Sequence, residues 1–223
     1  MWQYVQKIVS YLLPIKLHTF QTEHSGTLAV TLFNGKKMLD TAISNYSYGP
    51  LQRILHKALK KLPFDPSTQN ILVLGMGAGS IIETIRKNFG SNAHMTLVEF
   101  DAAIISVAEK EFGMAAFSDI KIIHADAIGF MRTNNKQFDL VIVDLFVIDT
   151  IPGACTEADF LNQISQSLAH GSKLVYNTIR DTLPAATLGT MITVLNSFGV
   201  HTRILKKIES SNDIILGEKQ LDS

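Results

Sequence analysis

"QNILVLGMGAGSIIETIRKNF" occupies residues 69–89 and changes character twice. Residues 71–74 are all aliphatic, glycines alternate at 75, 77 and 79, and helix-forming residues follow from Ser80. A short wholly apolar run followed by glycines and then a helix describes a buried strand turning sharply at its carboxyl end. Glycine there lets the backbone adopt conformations closed to other residues and lets a ligand lie against bare main chain. A dinucleotide fingerprint, G-x-G-x-x-G, requires its third glycine at position 80, where this chain has Ser80. Gly75, Gly77 and Gly79 instead suit a nucleoside-bearing ligand without a pyrophosphate. Alone the spacing is weak, because glycine turns also serve purely structural loops.

The same pattern repeats downstream. Apolar strands are expected at 71–74, 95–98, 120–123, 139–143 and 172–176, with helices at 80–89, 102–112, 128–133, 157–168 and 185–198. Strands apolar on both faces that alternate with helices imply a mostly parallel sheet covered on both sides. "GVHTRILKKI" and "NDIILGEK" then read as two strands joined by a turn. A parallel sheet that finishes in an antiparallel hairpin is the Rossmann-like arrangement of S-adenosylmethionine-dependent transferases, here with seven strands.

Upstream, "GTLAVTLF" (26–33) alternates, and Asn34-Gly35 marks a hairpin with "KMLDTAI" as its second strand. "YGPLQRILHKALKKL" (48–62) has helical spacing. "PFDPSTQN" (63–70), with two prolines, is the clearest boundary. The chain therefore divides into an N-terminal hairpin plus helix, 1–66, and an α/β ligand-binding domain, 67–223.

Acids gather where such a domain binds its ligand. Glu99 closes the second strand about twenty residues beyond the glycines, where a carboxylate accepts from two ribose hydroxyls. Asp126 and Ala127 close the third, near an adenine's exocyclic amine, and Asp144 leaves the fourth. Each acid taken singly is equally well a helix cap or turn former, and Asp101 has the look of a cap. Together they converge on the carboxyl edge of successive parallel strands, the binding crevice of open α/β sheets.

Composition narrows the partners. Twenty Lys and Arg balance twenty Asp and Glu, so bulk charge recruits neither nucleic acid nor an acidic membrane. The single cysteine, Cys155, rules out an internal disulfide and a Cys-rich zinc site, and reads as a bland thiol. The histidines are scattered without metal spacing, so no metal is expected; His124, beside the adenine-side acid, is the one to follow. Gln3, Gln6 and Lys7 interrupt the apolar opening stretch, which suits neither a signal peptide nor a membrane span. A cytoplasmic protein is the expectation.

These motifs resemble the spermidine synthase family, the polyamine aminopropyltransferases, and its methyltransferase-like relatives. "ILVLGMGAGSIIETI" is similar to the family's glycine loop, "LVEFDAAIISVAEKEF" to its ribose-binding strand and helix, and "HADAIGFM" to its adenine-side motif. "FDLVIVDLFVIDTIP" is similar to the strand bearing its catalytic aspartate, and "NGKKMLD…NYSYGPL" to its hairpin and gatekeeping segment. The resemblance implies that Glu99 holds the ribose, Asp126 the adenine edge, Asp144 the catalytic carboxylate position, and that Tyr48 lines the amine site. It also implies a homodimer, with an apolar face of the N-terminal hairpin against a second copy.

The departures matter equally. The synthases carry an aspartate inside the glycine loop, where this chain has Ala78; they follow the tyrosine with Gln-Glu, where it has Gly49 and Pro50. Leu145, Phe146 and Val147 fill the stretch where a second acid belongs, leaving Asp149 as a weaker substitute. Loss of the loop aspartate removes a charge that welcomes the amine of decarboxylated S-adenosylmethionine and repels the carboxylate of the ordinary compound. The reading that follows is S-adenosylmethionine-dependent methyl transfer to a small acceptor. Asp144 orients or deprotonates the nucleophile, Tyr48 positions it, and Asn177 adds a polar contact or simply ends its strand. Aminopropyl transfer from the decarboxylated donor is one alternative. A non-catalytic adenosyl-binding or scaffold protein is another, favoured by the apolar residues beside Asp144. Met76 and Phe100 flank the expected pocket, and core packing is the simpler role for both.

Overall fold

The computed structural model describes residues 2–24, 26–41, 45–47, 49–62, 67–147 and 149–220. Helix α1 (Trp2–Val9) leads into strands β1 (Ile15–Gln21), β2 (Thr27–Phe33), β3 (Lys36–Thr41) and β4 (Asn45–Ser47), which pair antiparallel in sequence order. Asn34 and Gly35 both have positive φ, 51° and 71°, as the tight β2–β3 turn requires. The expected hairpin is thus the centre of a four-stranded sheet. Helix α1 leaves Trp2, Tyr4 and Ile8 largely exposed, as are Leu12 and Leu13 beyond it.

Helix α2 (Gly49–Lys61) connects to the larger sheet, β5 (Asn70–Leu74), β6 (His94–Glu99), β7 (Ile120–His124), β8 (Phe138–Val143), β9 (Leu168–Ile179), β10 (Val200–Ile208) and β11 (Asn212–Lys219). Its order is β10-β11-β9-β8-β5-β6-β7. β5, β6, β7, β8 and β9 run parallel, while β11 is antiparallel to both β9 and β10. Helices α3 (Ser80–Glu83), α4 (Ala102–Phe112), α5 (Ala127–Thr133), α6 (Ala158–Gln166) and α7 (Ala185–Ser197) fill the connections. This is the Rossmann-like transferase fold with its antiparallel C-terminal hairpin.

Strand periodicity divides the core. Ile71, Val73, Met95, Leu97, Leu140 and Ile142 face Ile54, Leu55, Ala58 and Leu59 of α2 together with Ile81, Ile82 and Ile85. Leu72, Leu74, Val98, Val141 and Val143 face the opposite layer, including Met131, Phe160, Leu161, Ile164, Met191 and Leu195 from α5, α6 and α7. Both faces of β5 are therefore dry, which is why its sequence reads as unbroken aliphatics.

Two elements differ from expectation. The helix after the glycines is only one turn of α before a π-helical turn over Thr84–Asn88. Arg86 in that turn donates to Ser91 O (2.7 Å) and Ala93 O (2.8 Å), tying the widened turn to the approach of β6. Strand β9 begins at Leu168 and runs to Ile179, longer at both ends than 172–176: Leu168 pairs with Phe138 of β8, and β11 carries the other end on to Ile179.

Candidate adenosyl-ligand site

The carboxyl ends of β5, β6, β7, β8 and β9 open into a cleft of about 540 Å³, within the range of small-molecule sites. Gly75, Gly77, Glu99, Asp126, Ala127, Asp144 and Asp149 all line it. Tyr48 lies outside the described residues.

The three glycines do different work. All have positive φ, 83°, 51° and 85°. A Cβ at Gly75 would stand 2.2 Å from the Asp144 carbonyl oxygen, so this glycine lets β5 and β8 end side by side. One at Gly79 would meet Met114 Sδ at 2.4 Å. Gly77 is the position aimed at the ligand side: its N–H donates to Glu99 Oε2 at 3.1 Å, and it lines the cleft. Gly75→Ala is therefore expected to cost about 3 kcal/mol, combining a backbone clash with a left-handed φ. A urea unfolding curve of the variant beside wild type checks this.

Glu99 is buried, and its Oε1 accepts from the N–H groups of Phe100 (2.9 Å) and Asp101 (3.1 Å). Burial is the dominant influence and raises its carboxyl to about 6, against the lowering effect of those three backbone donors. Glu99 thus locks the glycine loop to the β6–α4 junction and still borders the cleft. Asp101 caps α4, accepting from Ala103 N–H at 2.9 Å. Asp126 caps α5 through Gly129 N–H at 2.7 Å and remains exposed at the cleft wall, so its cap and rim positions coexist.

Asp144 follows β8, and its Oδ1 accepts from Asn177 Nδ2 at 2.7 Å. Desolvation raises its carboxyl to about 6, and the Asn177 bond opposes that rise. Asp149 borders the same region beyond Leu145, Phe146 and Val147. Its backbone carbonyl accepts from Thr182 Oγ1 at 2.8 Å, which fastens this loop to the end of β9.

Several lining residues escaped the sequence reading. Asp181, two residues past the true end of β9, adds a carboxylate to the same side as Asp149. The signal was present, since the fifth parallel strand must also end at this edge; the strand was simply read too short. Ser211 and Asn212 line the cleft from the start of antiparallel β11. Leu51, Ile54 and Leu55 close it from α2.

Other expectations need correction. Ala78 is fully buried against Leu28, Val30, Leu39 and Ile104, facing the small sheet rather than the cleft. The donor's sign therefore cannot be read from that position. Phe100 is not a core residue: it is 37% exposed, lines the cleft and stacks on His24, with ring centroids 4.0 Å apart. Met76 is buried in the core. His124 pairs through Nε2 with the Phe100 carbonyl (3.0 Å), bracing the backbone behind Glu99. Burial pushes the Cys155 thiol up to about 12, which makes it a poor nucleophile. Among the described residues no group of three His, Cys, Asp or Glu side chains is placed to hold a metal, and no helix is long and apolar enough to cross a membrane.

The family described as the spermine/spermidine synthase domain matches residues 52–199, covering most of the chain and the carboxyl ends of β5 to β9 that open into the cleft. This chain belongs to the spermine/spermidine synthase family. A polyamine aminopropyltransferase of Vibrio vulnificus is 27% identical over 123 residues, 54% of this chain and 41% of that protein. The chain thus spans less than half the length of that relative. A probable spermidine synthase from Corynebacterium glutamicum superposes with a TM-score of 0.69 at 18% identity, over 94% of this chain and 82% of that one. Human methyltransferase-like protein 13 in complex with SAH superposes with a TM-score of 0.61 at 19% identity, over 75% and 82%. The two structures share the family's fold; at these identities they carry nothing about its chemistry here.

Proposed function

We propose that this chain transfers an aminopropyl group from decarboxylated S-adenosylmethionine to an amine acceptor. The observation that carries the reading is the charge of the cleft. Glu99, Asp126, Asp144, Asp149 and Asp181 line it, and the described residues lining it include no Lys, Arg or His. Such a wall matches ligands that are cationic throughout: a sulfonium, a donor ending in an amine rather than a carboxylate, and an amine acceptor. Carboxylates replace the hydration that ammonium groups lose on entry. The polyamine aminopropyltransferases among the relatives support the same choice over methyl transfer.

The donor supplies a carbon already activated by its sulfonium; a C–N bond forms as the C–S bond breaks, and sulfur leaves with the bonding pair as a neutral thioether. The protein's contribution is alignment and proton removal. Glu99 and the Gly77 backbone hold the sugar end. Asp144 takes the proton that the acceptor nitrogen must shed. Asp149 and Asp181 attract the acceptor's remaining charge, and Leu51, Ile54, Leu55 and Phe146 exclude water from the intervening methylene chain.

Incubation with each donor and a panel of diamines, read by mass spectrometry of the nucleoside product, tests this. Methylthioadenosine from the decarboxylated donor is expected, and Asp181→Asn should raise the acceptor's KM about tenfold with the donor's KM unchanged. Adenosylhomocysteine formed from the ordinary donor would replace the reading with methyl transfer. Absence of binding by any adenosyl compound would favour the scaffold reading.

A further inference from the structure

Asp144 is held by a chain of hydrogen bonds that runs along the cleft wall across three adjacent strands. In the β8–β9 register Val143 pairs with Tyr176, which sets Asp144 beside Asn177. In the β9–β11 register Ile179 pairs with Asn212, one residue pair from Asn177 on the same face. Ser211 Oγ donates to Asn212 Oδ1 (2.7 Å), Asn212 Nδ2 donates to Asn177 Oδ1 (2.9 Å), and Asn177 Nδ2 donates to Asp144 Oδ1 (2.7 Å). Asn177 is fully buried and Asn212 only 5% exposed.

The direction of this chain is dictated by its inner end. An ionised carboxylate only accepts, so Asn177 must turn its NH2 group inward and its carbonyl outward. That carbonyl needs a donor, which Asn212 supplies, and the Asn212 carbonyl is satisfied in turn by the Ser211 hydroxyl. Two amides in series with one polarity hold one oxygen of Asp144, a residue that lines the cleft.

We propose that Asn177, fixed by Asn212 and Ser211, is a positioning residue that orients the Asp144 carboxylate toward the acceptor, making the C-terminal hairpin part of the reacting apparatus. The proposal rests on the functional reading above for its kinetic consequence, though its geometry is independent of it. The hairpin is itself anchored: Glu209 in the β10–β11 turn pairs with Arg53 (3.0 Å) and with Lys57, both on α2. The hairpin's own Asp213 accepts from Lys207 N–H (2.8 Å) and pairs with Arg180 (3.4 Å), so Arg180 is directed away from Asp144.

Among the described residues, the ionisable side chains sharing the cleft with Asp144 are Glu99, Asp126, Asp149, Asp181 and the Cys155 thiol. None of them supplies a positive charge to substitute for the Asn177 donor. Carbon-13 NMR of the aspartate side-chain carboxyls, in unliganded protein, follows the Asp144 titration directly, its signal assigned by its loss in Asp144→Asn. In Asn177→Leu, which keeps the volume and removes the donor, the midpoint should rise by roughly one pH unit, the worth of one charge-assisted hydrogen bond. In the same variant kcat should fall about 10–100-fold while the donor's KM stays within about twofold. Asn212→Ala should shift both in the same direction by less. A folded Asn177→Leu protein with an unmoved midpoint overturns the proposal. Should that variant not fold, Asn212→Ala and the exposed Ser211→Ala decide on the same titration, an upward shift supporting the relay and no shift overturning it. A wild-type protein that transfers nothing would defeat the functional reading and leave the titration to judge the relay.

Discussion

Asp144→Asn should abolish turnover and make the unliganded protein more stable. Both effects come from one carboxylate. Replacing the group that takes the acceptor's proton should lower kcat about 10³-fold, in the range of general-base removals. The stability gain follows from burial. The Asp144 carboxyl sits at about 6 in the folded protein against 3.8 as its ordinary value, so the native state holds its proton more tightly than the unfolded chain does. Such a group costs nothing below pH ~4, where both states are protonated; the cost builds between ~4 and ~6, where the unfolded chain loses its proton first, and is complete above ~6. Asparagine removes the charge and still accepts from Asn177. With a discount for partial exposure, the gain at pH 7.5 is about 1–2 kcal/mol, or roughly 3–6 °C in Tm. Thermal unfolding of both proteins at pH 4 and 7.5 gives the check: the difference between them should be large at the higher pH and small at the lower. Equal melting temperatures at pH 7.5 would mean that Asp144 is adequately solvated and poorly placed to act as a base. An enzyme that carries a destabilising charge in its cleft has a reason for it only if a cationic ligand later pairs with that charge.

Much of this arrangement was legible in the chain because the physics is local. Aliphatic runs at 71–74 and 140–143 are buried on both faces, as covered parallel strands require. Asn34-Gly35 can hardly be other than a tight turn. The Gly75–Gly79 alternation and the acids Glu99, Asp126 and Asp144 each fall at a strand end, so the fold and the acidic wall of the cleft emerge together. What was hidden depends on partners distant in sequence. β1 presents alternating half-buried and exposed residues in a polar-rich stretch, and only pairing with β2 makes it a strand. Asp181 was missed because β9 is extended by β11, which no window around 172–176 contains. Ala78 looked like a ligand-facing position by resemblance, yet the small sheet folds over that side chain and takes it into its own core. The relay behind Asp144 required knowing that antiparallel β11 begins at the same edge where β9 ends. That register brings Ser211 and Asn212 beside an aspartate some seventy residues earlier in the chain.

Glu99→Gln should weaken donor binding about 10³-fold while leaving the acceptor's KM unchanged at saturating donor. Beside the three N–H groups it already accepts, the carboxylate has room for one ribose hydroxyl, a charge-assisted bond of about 1.5–3 kcal/mol. Glutamine retains one acceptor and replaces the other with a donor. The loss is sharpened by what Glu99 already does. Its oxygens receive N–H groups from Gly77, Phe100 and Asp101, so whichever oxygen becomes an NH2 confronts a backbone donor. If the amide keeps its carbonyl toward Phe100 and Asp101, the NH2 opposes Gly77 and loosens the glycine loop. The reverse orientation leaves two N–H groups at the start of α4 unpaired. Either way the ligand loses both the carboxylate and the backbone that it held in place. Glu99→Asp is the informative companion: it preserves charge but, one methylene shorter, cannot bridge both sides, and should fall between wild type and Glu99→Gln. Isothermal titration with the decarboxylated donor at pH 7.5 ranks the three. Because the Glu99 carboxyl is raised to about 6 by burial, wild-type affinity should also fall as pH drops below ~6, where the carboxylate gains a proton and loses its charge-assisted hold on the ribose. The Glu99→Gln protein has no proton to gain at this position and should lose that part of the pH dependence. Parallel pH profiles in the two proteins would remove Glu99 from the sugar and leave it as the clasp of the glycine loop alone.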